Sequence, residues 1–460
     1  MSAFKPPYPK RHTKKLNPFQ ALYYAQKDLL SIWEESAFKF ELMSQKIFKK
    51  HVFIVNAPDI IRYVMVENKE NYERKSKQMI RALEPLLGDG LFISDGKTWA
   101  SRRRIQTPMF DSQHIKMYSK VMVNTVTEMT NNWGGHKEKN ATDTIDVHTE
   151  MGKLAAEIIA RTLFGEKLGA QNSEKVVSAF ADYQSVVKQM AIFSFLGLPD
   201  WLPNVNAKVG KARKAAKTIH QTVDAIIAIA EEEGHQGTMV AELINANKSE
   251  SGTDLMTRKQ IRNEIIVLFM AGHETTANVL AWVWYLISQS PDVEKKLHAE
   301  LSNVLGNRPP EFDDIEKLPY TRAILDETMR LYPPVPVLSR QAQKDDEIRG
   351  RKVPAGSLML IVPWLLHRHK KLWKNPDHFI PERFMPDATK PKKFSYIPFS
   401  IGPRVCIAKN FGVTESVLAI AIIAQKFRLT LPPETSVDHE CRLTLRPKGK
   451  LPMKLEIIKD

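Results

Sequence analysis

The sequence predicts a mainly α-helical domain with a small β-region, and three observations predict it. Apolar residues recur at helical spacing through most of residues 112–250. One unusually long helix is framed by a capping pair, Thr257 with Gln260, and by Pro291 beyond its end. Alternating apolar residues, the mark of a half-buried strand, are confined to short stretches at 38–55 and 443–447. No repeat, low-complexity run or long linker divides the 460 residues, so one domain spanning 1–460 is expected, with residues 1–16 as a basic, proline-containing N-terminal arm.

Taken in order, residues 17–35 have helical periodicity, residues 38–55 read as paired strands, and Ala57-Pro58-Asp59 punctuates the chain before a short helix. Gly88-Asp89-Gly90-Leu91-Phe92 is a turn-rich loop with one large aromatic. In the helix after it, Trp99 and Arg103 are four apart and share a face, which predicts a cation-aromatic pair. Residues 190–203 (MAIFSFLGLPDWLP) are apolar but broken by Gly197, Pro199 and Pro203, which predicts a helix end and loop.

The long helix, running to about Gln289, spans roughly 45 to 50 Å at ~1.5 Å per residue and is apolar on nearly all sides, hence buried. Its middle reads Ala271-Gly272-His273-Glu274-Thr275-Thr276, a polar cluster where burial should least tolerate one. Thr275 can bond back to the Ala271 carbonyl, loosening the helix and opening a groove beside Gly272 that can hold dioxygen and water. Further on, Glu327 and Arg330 lie three apart on a helix that ends at Pro333-Pro334. Taken alone this is a surface pair worth ~0.2 to 0.5 kcal/mol.

Cys406 follows a Gly402-Pro403 turn and Arg404 and precedes helical periodicity over residues 407–425. Taken alone, a single cysteine is most often a small buried hydrophobe. At a helix start, however, unpaired N–H groups favour a thiolate, and Arg404 offers a fork for a carboxylate. An iron ligand beside a carboxylate-binding cation fits a haem.

Composition narrows the function. Only two cysteines occur, Cys406 and Cys441, neither in a metal-binding cluster, so a disulfide framework or zinc site is not expected and a reducing cytoplasm is the natural setting. No eighteen-residue apolar run appears, so membrane contact is expected to be at most peripheral. The net charge of +15 is spread along the chain without any nucleic-acid-binding motif. It reads as a solvated basic surface or, more sharply, as a dock for an acidic electron-transfer protein.

Phe399-x-x-Gly402-x-Arg404-x-Cys406 resembles the cysteine-loop signature of the cytochrome P450 family of haem-thiolate monooxygenases, with Ala408 where the family commonly has glycine. The Ala271–Thr276 cluster is similar to the family's oxygen-binding motif, without the upstream glutamate that some members esterify to haem. Glu327-x-x-Arg330, Pro381-Glu382-Arg383-Phe384 and Trp99-x-x-x-Arg103 are similar to further family elements in the family's order.

The resemblance implies a helical prism with haem b between the long central helix and the cysteine-loop helix, non-covalent except for the Cys406–iron bond. It implies cofactor contacts at Trp99, Arg103, Ala271, Arg340, Phe399 and Arg404, with catalytic roles for Thr275 and Glu274. Phe92, Val335 and Leu443 would line the substrate pocket, and residues 190–203 would form a lid. Glu327, Arg330 and Arg383 would serve folding and haem retention.

The implied reaction inserts one atom of O2 into a C–H bond of a hydrophobic fatty acid, terpenoid or steroid in a monomeric, cytoplasmic enzyme. Electrons would come from an acidic ferredoxin or flavodoxin with a reductase, docked near Lys409, Arg404 and Arg102. A peroxide-driven haem-thiolate enzyme and a non-catalytic haem or ligand-binding protein are the competing readings. The 88–92 and 272–276 segments look closest to soluble bacterial fatty-acid hydroxylases. Phe38-Lys39-Phe40-Glu41 is also present, but Gln45, Lys46 and Lys49 stand near where those enzymes carry a carboxylate-anchoring Arg and Tyr.

Overall fold

The computed structural model describes residues 3–14, 16–47, 50–136, 144–166, 178, 180, 183, 203–233, 237–250, 255–441 and 443–458. The expected lid at 190–202 and Lys49 lie outside these residues. Helix α1 (Pro18–Lys27) begins at Asn17, whose side chain accepts from the Gln20 N–H while Gln20 accepts from the Asn17 N–H. It is shorter than the periodicity over 17–35 suggests. At Asp28 the backbone becomes extended and the carboxylate caps the Leu30 N–H, so the chain continues as tight single turns to Phe38.

Strands β1 (Leu42–Ile47) and β2 (Lys50–Val55) pair antiparallel, with Leu42 opposite Val55. The helical region follows as α2 (Lys77–Leu87), α3 (Gly96–Gln106), α4 (Ser112–His136), the short β3 (Thr144–Asp146), α5 (Val147–Phe164), α6 (Pro203–Glu233) and α7 (Met239–Lys248). Then come α8 (Arg258–Ser288), α9 (Pro291–Leu305) and α10 (Pro319–Leu331). Four short strands follow, β4 (Leu338–Gln341), β5 (Asp346–Ile348), β6 (Arg351–Val353) and β7 (Leu358–Ile361). The chain closes with α11 (Lys409–Lys426), β8 (Phe427–Thr430), β9 (His439–Cys441), β10 (Leu445–Pro447) and β11 (Pro452–Ile457).

The main sheet has the order β1-β2-β7-β4, with β2 and β7 parallel. A second sheet, β3-β11-β8, includes a three-residue strand too short to leave an alternation in the sequence.

Helix α8 is the axis of the molecule. The predicted capping box at Thr257 and Gln260 forms, and the 31-residue helix is on the order of 46 Å long. Among the described residues it is a helix long and apolar enough to cross a membrane, yet most of that apolar stretch is buried in protein. Between residues 261 and 287 its side chains are buried except at Arg262, at 270–272 and at Thr275, and Ala271 is exposed. It packs along α5, where a Cβ on Gly272 would stand 2.9 Å from Ile159 side-chain carbons. The groove expected beside Gly272 is therefore occupied on that side by Ile159, and the glycine serves close helix contact.

The basic N-terminal arm is held against the body of the domain. Tyr332 at the end of α10 donates its hydroxyl to the Pro7 carbonyl at 2.8 Å, and the Phe379 N–H donates to Phe4 O at 2.8 Å. Arg11, with its side chain 8% exposed, pairs with Asp377 and Glu35 and lies 3.8 Å from the Phe38 ring centroid. Charge on this arm is spent on packing, because a guanidinium over an aromatic face and beside two carboxylates gains more than one in water.

Arg11→Ala should accordingly lower stability by about 2 kcal/mol, since Asp377 loses a charged donor. The unfolding midpoint of the purified variant measures this, and an unchanged midpoint would show that the arm contributes nothing.

Candidate active site

The cysteine loop is set by two backbone constraints. Gly402 has φ of +71°, and a Cβ there would come within 2.2 Å of the Met65 carbonyl oxygen, so only glycine fits. Ser400 is also left-handed, at φ +62°. Between these turns and the helix, the Cys406 N–H donates to Phe399 O at 2.9 Å and Arg103 donates to Val405 O at 2.8 Å. Cys406 itself precedes α11 by three residues, slightly farther from the helix end than its sequence position implied.

The Cys406 sulfur is accessible although protein surrounds much of it. Burial pushes its thiol up from the usual value, against the downward pull of the Ala408 amide, Arg103 and Lys409. The Ala408 amide and the nearby cations thus favour a thiolate as the sequence position implies. Desolvation outweighs the helix end, and a directly bound cation is what would take the proton's place.

Beside the loop, Arg404 stacks on Trp99 at 4.3 Å and donates to Glu73 Oε1 at 3.1 Å, while its buried Nε has no partner. Trp99, Arg340 and Arg404 line one cleft of about 240 Å³. Arg340 is buried, and desolvation together with Arg404 pushes its pKa down to about 10. Lys75 is driven well below the usual lysine range by burial and by the same two arginines. The aromatic partner of Trp99 is thus Arg404, not Arg103, whose guanidinium turns to the Val405 carbonyl.

Above the loop, Thr275 Oγ1 donates to Ala271 O at 2.7 Å as expected, and Ala271 is exposed within an otherwise buried helix. One residue on, Thr276 Oγ1 lies 3.4 Å from Glu415 Oε2 on α11, so the two helices meet next to Thr275. Glu274 is 9% exposed. Leu445 N–H donates to Pro334 O at 3.0 Å, and Asn278 Nδ2 donates to Thr444 Oγ1 at 3.1 Å. These bonds bring half-buried Leu443 and Val335 together beside α8. Half-buried Phe92 has the Lys75 ammonium 3.6 Å from its ring centroid.

The Glu327–Arg330 pair is not a surface contact: both residues are 0% exposed. Arg330 binds Glu327 through Nε and Nη2 at 2.7 and 2.8 Å, and also donates to the carbonyls of His367, Pro376 and His378. Arg383 reaches Glu327 at 3.3 Å. His367, which carries no motif in the sequence, accepts the Ile397 N–H on Nε2 at 2.9 Å and so ties this network to the segment leading into the cysteine loop. Lys75 was likewise missed, because in the run Glu73-Arg74-Lys75-Ser76-Lys77 it looks like one more solvated charge.

Arg102 moves the other way. It is 4% exposed and held between Glu264 and Asp89, so it cannot join an exposed basic docking surface, and Arg404 is committed to Trp99 and Glu73. Of the three docking candidates, Lys409 remains exposed.

This constellation fits an iron porphyrin. Three cations, Lys75, Arg340 and Arg404, crowd a desolvated space with Glu73 as the nearby carboxylate, and an orphaned guanidinium nitrogen among them calls for further anionic acceptors. Such a helical fold, with a soft sulfur donor before one helix and a back-bonded threonine at an unburied point of the central helix, suits a haem-dependent oxygenase.

The sequence profile of the cytochrome P450 family matches residues 6–454, and the chain belongs to that family. It is 30% identical over 413 residues to cyclooctatin synthase of Streptomyces melanosporofaciens, covering 88% of this chain and 86% of that one. It is 28% identical over 426 residues to the chloroplastic carotene epsilon-monooxygenase of Arabidopsis thaliana, covering 88% and 78%. The fold matches the crystal structure of the cytochrome P450DA heme domain with a TM-score of 0.84 at 23% identity, over 98% of each chain. The protein is therefore an oxidoreductase of the P450 monooxygenase family, whose members carry haem and generally use O2 and redox partners.

Burial, with Arg330 and Arg368 nearby, pushes the His367 pKa down to about 3, so the folded state holds it neutral while the unfolded chain protonates it near 6.5. This contribution to stability is present above pH 6.5 and is lost as the pH falls toward 3, by at most about 1.4 kcal/mol per pH unit. His367→Gln should flatten that part of the acid side of the stability profile. Parallel profiles of denaturation midpoint against pH for parent and variant would contradict it.

Proposed function

We propose that this P450 hydroxylates a carbon-rich lipophile of the terpenoid class, with electrons from a separate acidic ferredoxin or flavodoxin and its reductase. The observation that carries the reading is the Thr275–Ala271 hydrogen bond at an exposed point of a buried helix, on the side where α8 and α11 meet. Apolar Phe92, Val335 and Leu443 suit a greasy substrate, and relatives are named for carbon-rich substrates or products, a carotene epsilon-monooxygenase, a cyclooctatin synthase and the cyclooctat-9-en-7-ol 5-monooxygenase of Streptomyces melanosporofaciens. A fatty acid is less favoured. The Phe38-to-Glu41 segment is used by the fold itself: Phe38 lies under Arg11, and Glu41 pairs with Arg349 and Lys371.

The chain acts as one domain, and each residue has a definite task. Cys406, as thiolate, would hold the iron, while Trp99, Arg340 and Arg404 would hold the carboxylate edge of haem b, with Lys75 beside them. Phe399 and Ala271 would contact it. Arg103 steadies the loop through the Val405 carbonyl. When bound, the haem supplies the oxidising chemistry, by which one atom of O2 enters the substrate C–H bond and the other leaves as water. The Thr275 hydroxyl holds a proton at Oγ1 where O2 is reduced, and Glu274, one residue away, replenishes it. Glu327, Arg330 and Arg383 hold the segment beneath the cysteine loop. Exposed Lys409, and Lys97 on the helix joined to the loop by Arg103, offer positive charge to an acidic partner.

Reduced protein under carbon monoxide should give the red-displaced absorption of thiolate ligation, and Cys406→His should abolish it. With a ferredoxin and reductase, Thr275→Ala should retain haem yet divert most reducing equivalents to peroxide, measured as product formed per NADH consumed. Unchanged coupling would remove Thr275 from the proton path.

A further inference from the structure

Glu264 is a fully buried carboxylate on α8 that none of the roles above uses. It lies seven residues before Ala271, two helical turns along the same face. Its two oxygens both accept the Leu91 N–H, at 3.1 and 3.0 Å. Oε2 also accepts from Gln106 Nε2 at 2.9 Å, and Arg102 Nε lies 3.4 Å from Oε1. Leu91 immediately precedes Phe92.

The rest of the Gly88–Phe92 loop is fastened to the same stretch of helix. Asp89 accepts from Gln260 at 2.7 Å and Asn263 at 3.0 Å. A Cβ on Gly88 would stand 2.1 Å from the Asn263 amide nitrogen, and one on Gly90 would stand 2.8 Å from Val267 Cγ2. The loop therefore approaches α8 as closely as backbone can, and Glu264, whose pKa burial pushes up to about 7 against the pull of the Leu91 amide, Gln106 and Arg102, is its anchor. The Phe92 ring is held by this anchor through Leu91 and meets the Lys75 ammonium on its face.

We propose that Glu264 is a specificity-determining residue that acts at a distance: its carboxylate fixes the Leu91 amide and thereby the position of the Phe92 ring against the substrate. The proposal rests on Phe92 being a pocket wall. Glu264 touches neither substrate nor cofactor, and it is a positioning residue. Its effect falls on ligands long enough to reach Phe92 and spares small ligands that meet only the iron.

The test uses the haem-loaded protein and two probes, imidazole and 4-phenylimidazole, titrated by the haem absorbance shift. At about pH 8.5, where Glu264 is ionised, Glu264→Gln, which keeps the volume but removes the charge, should leave imidazole affinity unchanged and weaken 4-phenylimidazole about tenfold, the cost of one charged hydrogen bond. Gln106→Glu added to Glu264→Gln returns a carboxylate to the cluster and should restore the aryl ligand toward the parent value. Phe92→Ala is the control for the underlying reading. If it leaves 4-phenylimidazole affinity unchanged, Phe92 is not a wall and the proposal falls with that reading. If Phe92→Ala changes aryl affinity and Glu264→Gln does not, the wall stands and Glu264 does not position it. Equal loss for both probes, or failure of both Glu264 variants to take up haem, would make Glu264 a folding residue and overturn the proposal.

Discussion

A guanidinium with no access to water has to find all its hydrogen-bond acceptors in the protein, and the chain is built around meeting that demand at Arg330. Glu327 supplies the counter-charge and three backbone carbonyls supply the rest. Those carbonyls come from residues 367 to 378, so satisfying one side chain fixes the path of a segment with little regular structure of its own. His367 then carries the constraint to Ile397, and from there the left-handed turns at Ser400 and Gly402 deliver Cys406. Breaking such a pair costs about 3 to 5 kcal/mol because the remaining charge is stranded, which is why a buried ion pair governs the placement of a sulfur on another element.

The same logic of satisfied charge organises the cluster of Lys75, Arg340 and Arg404 in the opposite sense. Lys75, Arg340 and Arg404 repel one another in a desolvated space, a cost that persists only where an anion offsets it. The protein alone leaves this cluster short of negative charge, and under the proposed function the carboxylates of the bound haem would offset it, coupling cofactor uptake to stability.

Much of this was legible in the sequence wherever one residue type has one dominant reason to be where it is. The Thr257–Gln260 capping box, the Thr275 back-bond and the Gly402 turn each follow from local geometry, and all three form as expected. The short strands at 42–55 and 445–447 likewise follow from alternation. Charged residues were read less well. Arg11, Arg102 and Lys75 look alike as solvated cations, and what separates them is tertiary: Arg11 is latched to Asp377, Arg102 is buried against Glu264, and Lys75 faces an aromatic ring and two arginines. The pairing of Trp99 with Arg404 in place of Arg103 has the same origin, since a four-residue spacing gives proximity but not the partner from another loop. Asp28 ended α1 early because a carboxylate that caps the next turn competes with helix continuation, a choice that periodicity does not register.

The strap formed by residues 4–12 has a consequence for biosynthesis. Pro7 meets Tyr332, 325 residues away in the chain, so residues 4–12 leave the ribosome long before their partner does and must wait to find their place. At 5 to 20 residues per second, that wait is roughly twenty seconds to a minute. During it, Phe4 and Tyr8 stay in solvent, and closure of the N-terminal strap marks the completion of the fold, not its start.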